Sequence, residues 1–224
     1  MKLTKKQQTW KNLDTDKVYA LADAIEVLRE YASKKFDETL EIAIRLGIDV
    51  TKADQNIRGM LSLPNGTGKS VRVAVFTENA ADEAKNAGAD VVGAQDLIDS
   101  VAAGNINFDR VIATPDMMPK MSKIARVLGP KGLMPNPKLG TVTNNVADAV
   151  KTAKAGQIEY RAEKRGIIHA GIGKMSFATD KLVENAIALI DQLKKVKPAS
   201  SKGQYILGVS VATTQGPGLK VDAK

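Results

Sequence analysis

No cysteine occurs anywhere in the 224 residues, which excludes disulfides, thiolate metal sites and cysteine nucleophiles. The absence suits a reducing compartment. There is one histidine, His169. With no cysteine and no second histidine, a transition-metal cluster lacks its usual ligands. A Ser-His-Asp site would hang on a single residue in a strand pattern. His169 reads instead as a strand residue with one ring nitrogen hydrogen-bonded, or touching phosphate. Aspartates and glutamates are scattered, with no spaced pair that reads as acid and base. No unbroken apolar stretch approaches the ~18 residues that a membrane span needs. The segment MKLTKKQQTWK carries charge without an apolar centre, unlike a secretory signal. What is missing predicts no catalytic residue, no metal, no cofactor, no membrane and a cytoplasmic location.

What is present is basic. The chain holds 33 lysines and arginines against 25 acids, a net charge of +8, which points to an anionic partner, with nucleic acid ahead of membrane. The excess is uneven. Residues 1–66 and 157–224 together carry +6 and residues 67–156 carry +2. Inside that middle stretch, residues 67–116 have 4 bases and 8 acids, and residues 117–156 have 7 bases and 1 acid.

Hydrophobic spacing divides the chain the same way. Val18, Leu21, Ala22, Ile25 and Leu28 recur at helical steps and predict an amphipathic helix over 17–32. Leu40, Ile42, Ile44 and Leu46 alternate with Thr39, Glu41, Ala43 and Arg45, the pattern of a half-buried strand. RGMLSLP is a second strand, stopped by Pro64 and the Asn65-Gly66 turn. VRVAVF at 71–76 is continuously apolar, as in a strand covered on both faces. Strand patterns at 89–93 and 108–114 then alternate with helical ones at 79–87, 95–103, 117–128 and 146–156. That alternation predicts a mainly parallel α/β sheet. From Gln157 half-exposed strands return: QIEYRAE, a turn at Lys164-Arg165-Gly166, IIHAGIGKMSF, a helix over 179–195 and a last strand, YILGVSVATT. The fold class is therefore α+β in two domains. Residues 1–66 and 157–224 form a discontinuous α+β domain, and residues 67–156 form an inserted, Rossmann-like three-layer α/β domain. Gly66, Gly68 and Gly156 mark the hinge between them.

Several short motifs carry chemistry. GTGKS at 66–70 imitates a phosphate loop. The motif needs a glycine where Leu63 stands, and a helix where VRVAVF reads as a strand, so it reads as a linker. Lys34-Lys35-Phe36 joins two cations to an aromatic that can press on a ribose or base, or serve as core filler. ATTQGPG at 212–218 offers hydroxyl, amide and bare backbone groups suited to 2′-hydroxyls, and equally reads as a strand end frayed into a tail. IARVLGPKGLMPNPKLGTV, 124–142, has three glycines, three prolines, three cations and no acid. Its prolines fix the backbone in advance, and its glycines permit tight turns. Leu128, Leu133 and Met134 are expected to pin the loop to its domain, leaving Arg126, Lys131 and Lys138 toward phosphate.

LGPKGLMPNPKLGTV, KFDETLEIAIRLGID, DQNIRGMLSLPNGTGK and IEYRAEKRGIIHAGIGK closely resemble the bacterial "L-one" family, from about Lys17 to Val221 and in the same order along the chain. Its members are ribosomal proteins of the large subunit's mobile side stalk. The resemblance implies an RNA-binding split domain assisted by the inserted one, with no enzymatic activity. The partners it implies are large-subunit rRNA, the chain's own operon mRNA, exit-site tRNA and the ribosome, with a monomer when free. It further implies repression of its own translation and help in releasing deacylated tRNA. By position, the family's RNA-facing surface falls on Glu26, Lys35, Phe36 and Thr39. It continues on Lys164, Arg165, His169 and Lys174, and on Thr213, Thr214, Gln215 and Gly216. The family usually has methionine where Gln215 stands. Lys2, Lys5, Lys6 and Lys11 would add salt-sensitive attraction. The competing reading is a nucleotide-dependent enzyme on the inserted domain, which needs a phosphate-gripping strand-to-helix loop and a catalytic acid or base.

Overall fold

The computed structural model describes residues 4–11 and 13–222, which fall into two compact units, Met1–Gly68 with Ile158–Lys224 and Lys69–Gln157. The first begins with a short helix, α1 (Lys5–Thr9), closed by a capping box in which Thr4 and Gln7 exchange hydrogen bonds. Lys2 lies outside the described residues, as do the side chains of Lys5 and Lys6.

The helix expected over 17–32 starts later. Val18 and Tyr19 form a short strand, β1, paired in parallel with Lys220 and Val221. Helix α2 runs over Leu21–Tyr31 behind an extended Ala20. Its buried face is Ala24, Ile25 and Leu28, whereas Val18 and Ala22 are exposed. Pairing with the terminal strand therefore overrides the helical spacing of Val18. Strand β2 (Thr39–Leu46) follows its alternation, with Leu40, Ile42, Ile44 and Leu46 buried. Each such side chain contributes about 1.5–3 kcal/mol by leaving water. Strand β3 (Arg58–Ser62) ends before the Asn65-Gly66 turn.

The second unit is a parallel sheet, β4 (Val73–Phe76), β5 (Val91–Gly93) and β6 (Arg110–Ala113), in the order β5-β4-β6. Helices α3 (Ala81–Asn86) and α4 (Gln95–Ala102) lie in its connections. The pleat explains the continuously apolar run. Val73, Val75 and Ile112 pack with Ala84 of α3 and with Val146, Val150 and Ala153. Ala74, Phe76, Val111 and Ala113 pack on the other face with Ile98 and Val101 of α4 and with Met117, Met121, Ile124 and Leu128. Two apolar faces give three layers. The stretch 117–128 is not one helix but α5 (Met118–Met121) and α6 (Ala125–Leu128), separated and preceded by 3-10 turns. Pro119 has no N–H for a continuous ladder, and the Ser122 hydroxyl donates to its carbonyl at 2.6 Å. Helix α7 (Val146–Lys154) closes the unit, its first turn capped by the Asn145 side chain.

Returning to the first unit, β7 (Gln157–Arg161) pairs with β3 in a separate two-stranded sheet. Strand β8 (Ile167–Lys174) joins the main sheet. The turn at Lys164-Arg165-Gly166 therefore joins two strands that meet at a bridge from Ala162 to Ile168 and otherwise pair with different strands. Helix α8 (Thr179–Lys195) buries Leu182, Ala186, Leu189, Ile190 and Leu193 on one stripe. Strand β9 (Ile206–Thr213) then turns into β10 (Gly218–Val221), which pairs antiparallel with it. The Gly-Pro segment is therefore a hairpin turn rather than a frayed tail. The main sheet reads β1-β10-β9-β2-β8, and its inner face shares a core with α2 and α8.

Candidate nucleic-acid interface

One end of the main sheet gathers residues from three distant parts of the chain. Thr39 opens β2 opposite Lys174, the last residue of β8, and Leu40 lies beside Thr213 at the end of β9. The Thr39 N–H donates to the Thr214 hydroxyl at 3.0 Å, and the Thr214 N–H donates to the Thr39 carbonyl at 3.2 Å. Lys174 donates to the Thr39 hydroxyl at 3.0 Å and to the Asp37 carbonyl at 3.1 Å. Two of its three ammonium hydrogens are thereby used internally.

Just before Thr39, Lys35 and Phe36 stand on the loop that leaves α2. Phe36 is 43% exposed, a large apolar ring with no core to fill. Across from it, Thr214 and Gln215 are exposed at the tip of the β9–β10 turn. Thr213 is different: only 4% exposed, its hydroxyl is buried and has no hydrogen-bond partner among the described residues. It sits beneath the turn, so close that a Cβ on Gly216 would collide with its hydroxyl. Gly216 is thus required by close approach, and its N–H closes the turn on the Thr213 carbonyl at 3.1 Å.

The other residues singled out in the sequence lie apart. Lys164 and Arg165 occupy the turn closed by the Gly166 N–H on the Glu163 carbonyl, 2.9 Å. That turn is at the opposite end of β8, about 23 Å along the strand at ~3.3 Å per residue. His169 is between them, paired across β2 with Ala43 and exposed, its Nε2 3.7 Å from Glu163. Glu26 stands on the solvent side of α2. The candidate surface therefore has a tight cluster at one sheet end and a looser basic patch at the other.

The glycine-proline loop of the second unit is ordered by its own bonds. The Leu133 N–H donates to the Leu128 carbonyl and the Gly132 N–H to the Gly129 carbonyl, both at 3.0 Å, with Gly132 at φ 70°. This is a Schellman ending for α6, and glycine is the residue best suited to its left-handed position. Asn136 then caps a 3-10 turn over Pro137–Leu139, its side chain accepting the Lys138 N–H at 2.9 Å. Leu128, Pro135 and Leu139 are buried, and Leu133 and Met134 pack on the sheet's core. Arg126, Lys131 and Lys138 are exposed.

GTGKS lacks the helix a phosphate loop requires, since β4 follows Ser70. Among the described residues no group of three or more histidines, cysteines, aspartates or glutamates could hold a metal ion. The linker glycines Gly66, Gly68 and Gly156 all have positive φ. Gly66 is held: the buried Asn185 donates to its carbonyl at 2.9 Å and accepts the Asn65 N–H at 3.1 Å. Gly68 packs against Phe177 and the stem of Lys174.

The family model described as the ribosomal protein L1p/L10e family matches residues 28–217. The chain belongs to that family. A ribosomal protein L1p/L10e family member is a structural component of the ribosome, which is where this chain acts. The match includes the clustered sheet end and the whole second unit. Among the described residues no helix is long and apolar enough to cross a membrane.

Residues that sequence reasoning missed in this family member are the ones that hold the cluster together. Asp37 accepts both the N–H and the hydroxyl of Ser176, at 3.1 and 2.7 Å. Glu38 is buried at 1% exposure between the loop and the turn. Carboxylates directly after Lys34-Lys35-Phe36 look like solvated surface in a sequence. Ser176 and Gln215, which they hold, lie far away in the chain and leave no local signature.

Proposed function

We propose that this ribosomal protein binds large-subunit rRNA at the mobile side stalk through the end of its main sheet. Lys35, Phe36, Thr39, Lys174, Thr214, Gln215 and Gly216 supply the contacts. The convergence of these residues, from three stretches of chain, on one hydrogen-bonded edge is the observation that carries the reading. The edge offers an aromatic face, hydroxyls and close-approaching backbone rather than a dense positive charge. That chemistry suits folded RNA and its 2′-hydroxyls. Lys164, Arg165 and His169, at the far end of β8, and Glu26 on α2 extend the contact. Arg126, Lys131 and Lys138 add phosphate contacts from the second unit. Thr213 serves beneath the turn, shaping it.

By the same surface the chain represses translation of its own operon mRNA, whose site mimics the rRNA site. On the stalk it assists release of deacylated tRNA from the exit site. Sedimentation tests the main reading. The protein should travel with large subunits at moderate salt and detach at high salt, as phosphate contacts are displaced by counterions. Migration with free protein at every salt concentration, in the presence of excess large subunits lacking it, would rule the reading out.

A further inference from the structure

We infer that Glu38 is the positioning residue of the candidate RNA edge: its buried carboxylate holds the Lys35-Phe36 loop and the Thr214–Gly216 turn in one geometry. One carboxylate oxygen accepts the Ser33 N–H at 2.8 Å, and the other accepts the Gln215 N–H at 3.2 Å. The first bond closes the loop that carries Lys35 and Phe36. The second fastens the exposed turn, 177 residues away in sequence, to the same group. Glu38 is itself held from below. Its carbonyl accepts the Met175 N–H at 2.9 Å, and neighbouring Asp37 is bound by Ser176 through two hydrogen bonds.

Bonds from N–H groups to a charged acceptor are stronger than neutral ones. A buried carboxylate that loses a donor bears the cost of an unmade hydrogen bond, and both bonds end on this one group, so the loop and the turn are linked through it. Ordering both segments before RNA arrives removes that ordering from the cost of binding. Glu38 needs no contact with RNA to do this. The role in recognition rests on the proposed rRNA reading, whereas the coupling of loop and turn is a property of the free protein.

Two measurements on the full chain separate them. In Glu38→Gln, an NH2 group replaces one accepting oxygen and faces an N–H. Hydrogen exchange at the Ser33 and Gln215 amides should then quicken together, by about tenfold or more. Amides in the middle of β2, β9 and α8 should keep their protection. Affinity for purified large-subunit rRNA should fall about tenfold or more. The slope of log affinity against log salt should not change, because no cation is removed. Glu38→Asp, which keeps the charge on a shorter stem, should recover part of both losses. It also replaces Glu38→Gln should that variant fail to fold. Wild-type exchange at both amides, wild-type rRNA affinity in a folded variant, or loss of the whole fold in both variants overturns the role of Glu38. If the unsubstituted chain does not bind rRNA, the rRNA reading fails, and the exchange result alone decides the coupling.

Discussion

Tyr205 and Thr213 each bury a hydroxyl that has no hydrogen-bond partner among the described residues. For Thr213 the turn above it explains the position. For Tyr205 the ring fills the core of the first unit, with the Lys197 ammonium 5.9 Å from its centre. Burial, and secondly the neighbouring Tyr160, push its pKa up from 10.0 to about 12. The native state thus holds this proton more tightly than the unfolded chain does. Its contribution is fully present below pH 10 and is lost as pH rises from 10 toward about 12. Tyr205→Phe keeps the ring and removes a hydroxyl that has no partner among the described residues. Denaturant unfolding at pH 7 should show unchanged or slightly greater stability, and the decline between pH 10 and about 12 should shrink. A loss of more than about 1 kcal/mol at pH 7 would reveal a partner for the hydroxyl.

Among the elements, the glycine-proline loop shows why a basic segment also carries apolar residues. Its interior is fastened by Leu128, Pro135 and Leu139, and its turns are fixed by Gly132 and Gly140, both at positive φ. Lys131 and Lys138 are therefore presented on a shaped support. Lys131→Ala with Lys138→Ala should leave folding intact and weaken rRNA binding. The magnitude of the salt slope should fall by about 1 to 2, one contact per lysine. An unchanged affinity and slope would remove this loop from the interface. Elements of this kind were legible wherever spacing and burial coincide. Strand β2 and the buried stripe of α8 follow their alternation and helical period residue for residue. Strand β10 was not legible, because Gly216-Pro217-Gly218 looks like a strand breaker and the pairing that makes it a hairpin comes from β9 and β1. The start of α2 is hidden for the same reason: Val18 pairs with Lys220 of the distant strand β10. Of the candidate site, the exposed members carry a motif, while Glu38, Asp37 and Asn185 are tied to Gln215, to Ser176 and to Asn65-Gly66, all far along the chain.

For the whole molecule, the question is how much of recognition each unit holds. The first unit has its own core, drawn from both chain segments: Leu40, Ile42 and Ile44 from the first, Ile168, Leu189 and Val211 from the second. Its two linker ends are both anchored within it, Asn65-Gly66 by Asn185 and β7 by pairing with β3. Most of the net charge lies in these segments, +6 of +8. A chain joining residues 1–66 directly to 157–224 should therefore fold, as read by circular dichroism and a cooperative unfolding transition. It should keep most of the specific affinity for large-subunit rRNA, because the Lys35-Phe36 loop, the Thr39–Lys174 pair and the Thr214–Gly216 turn are all retained. Its salt slope should be shallower than that of the full chain, since Arg126, Lys131 and Lys138 are gone. A joined chain that folds but binds rRNA no better than an unrelated RNA would place specificity in the second unit instead.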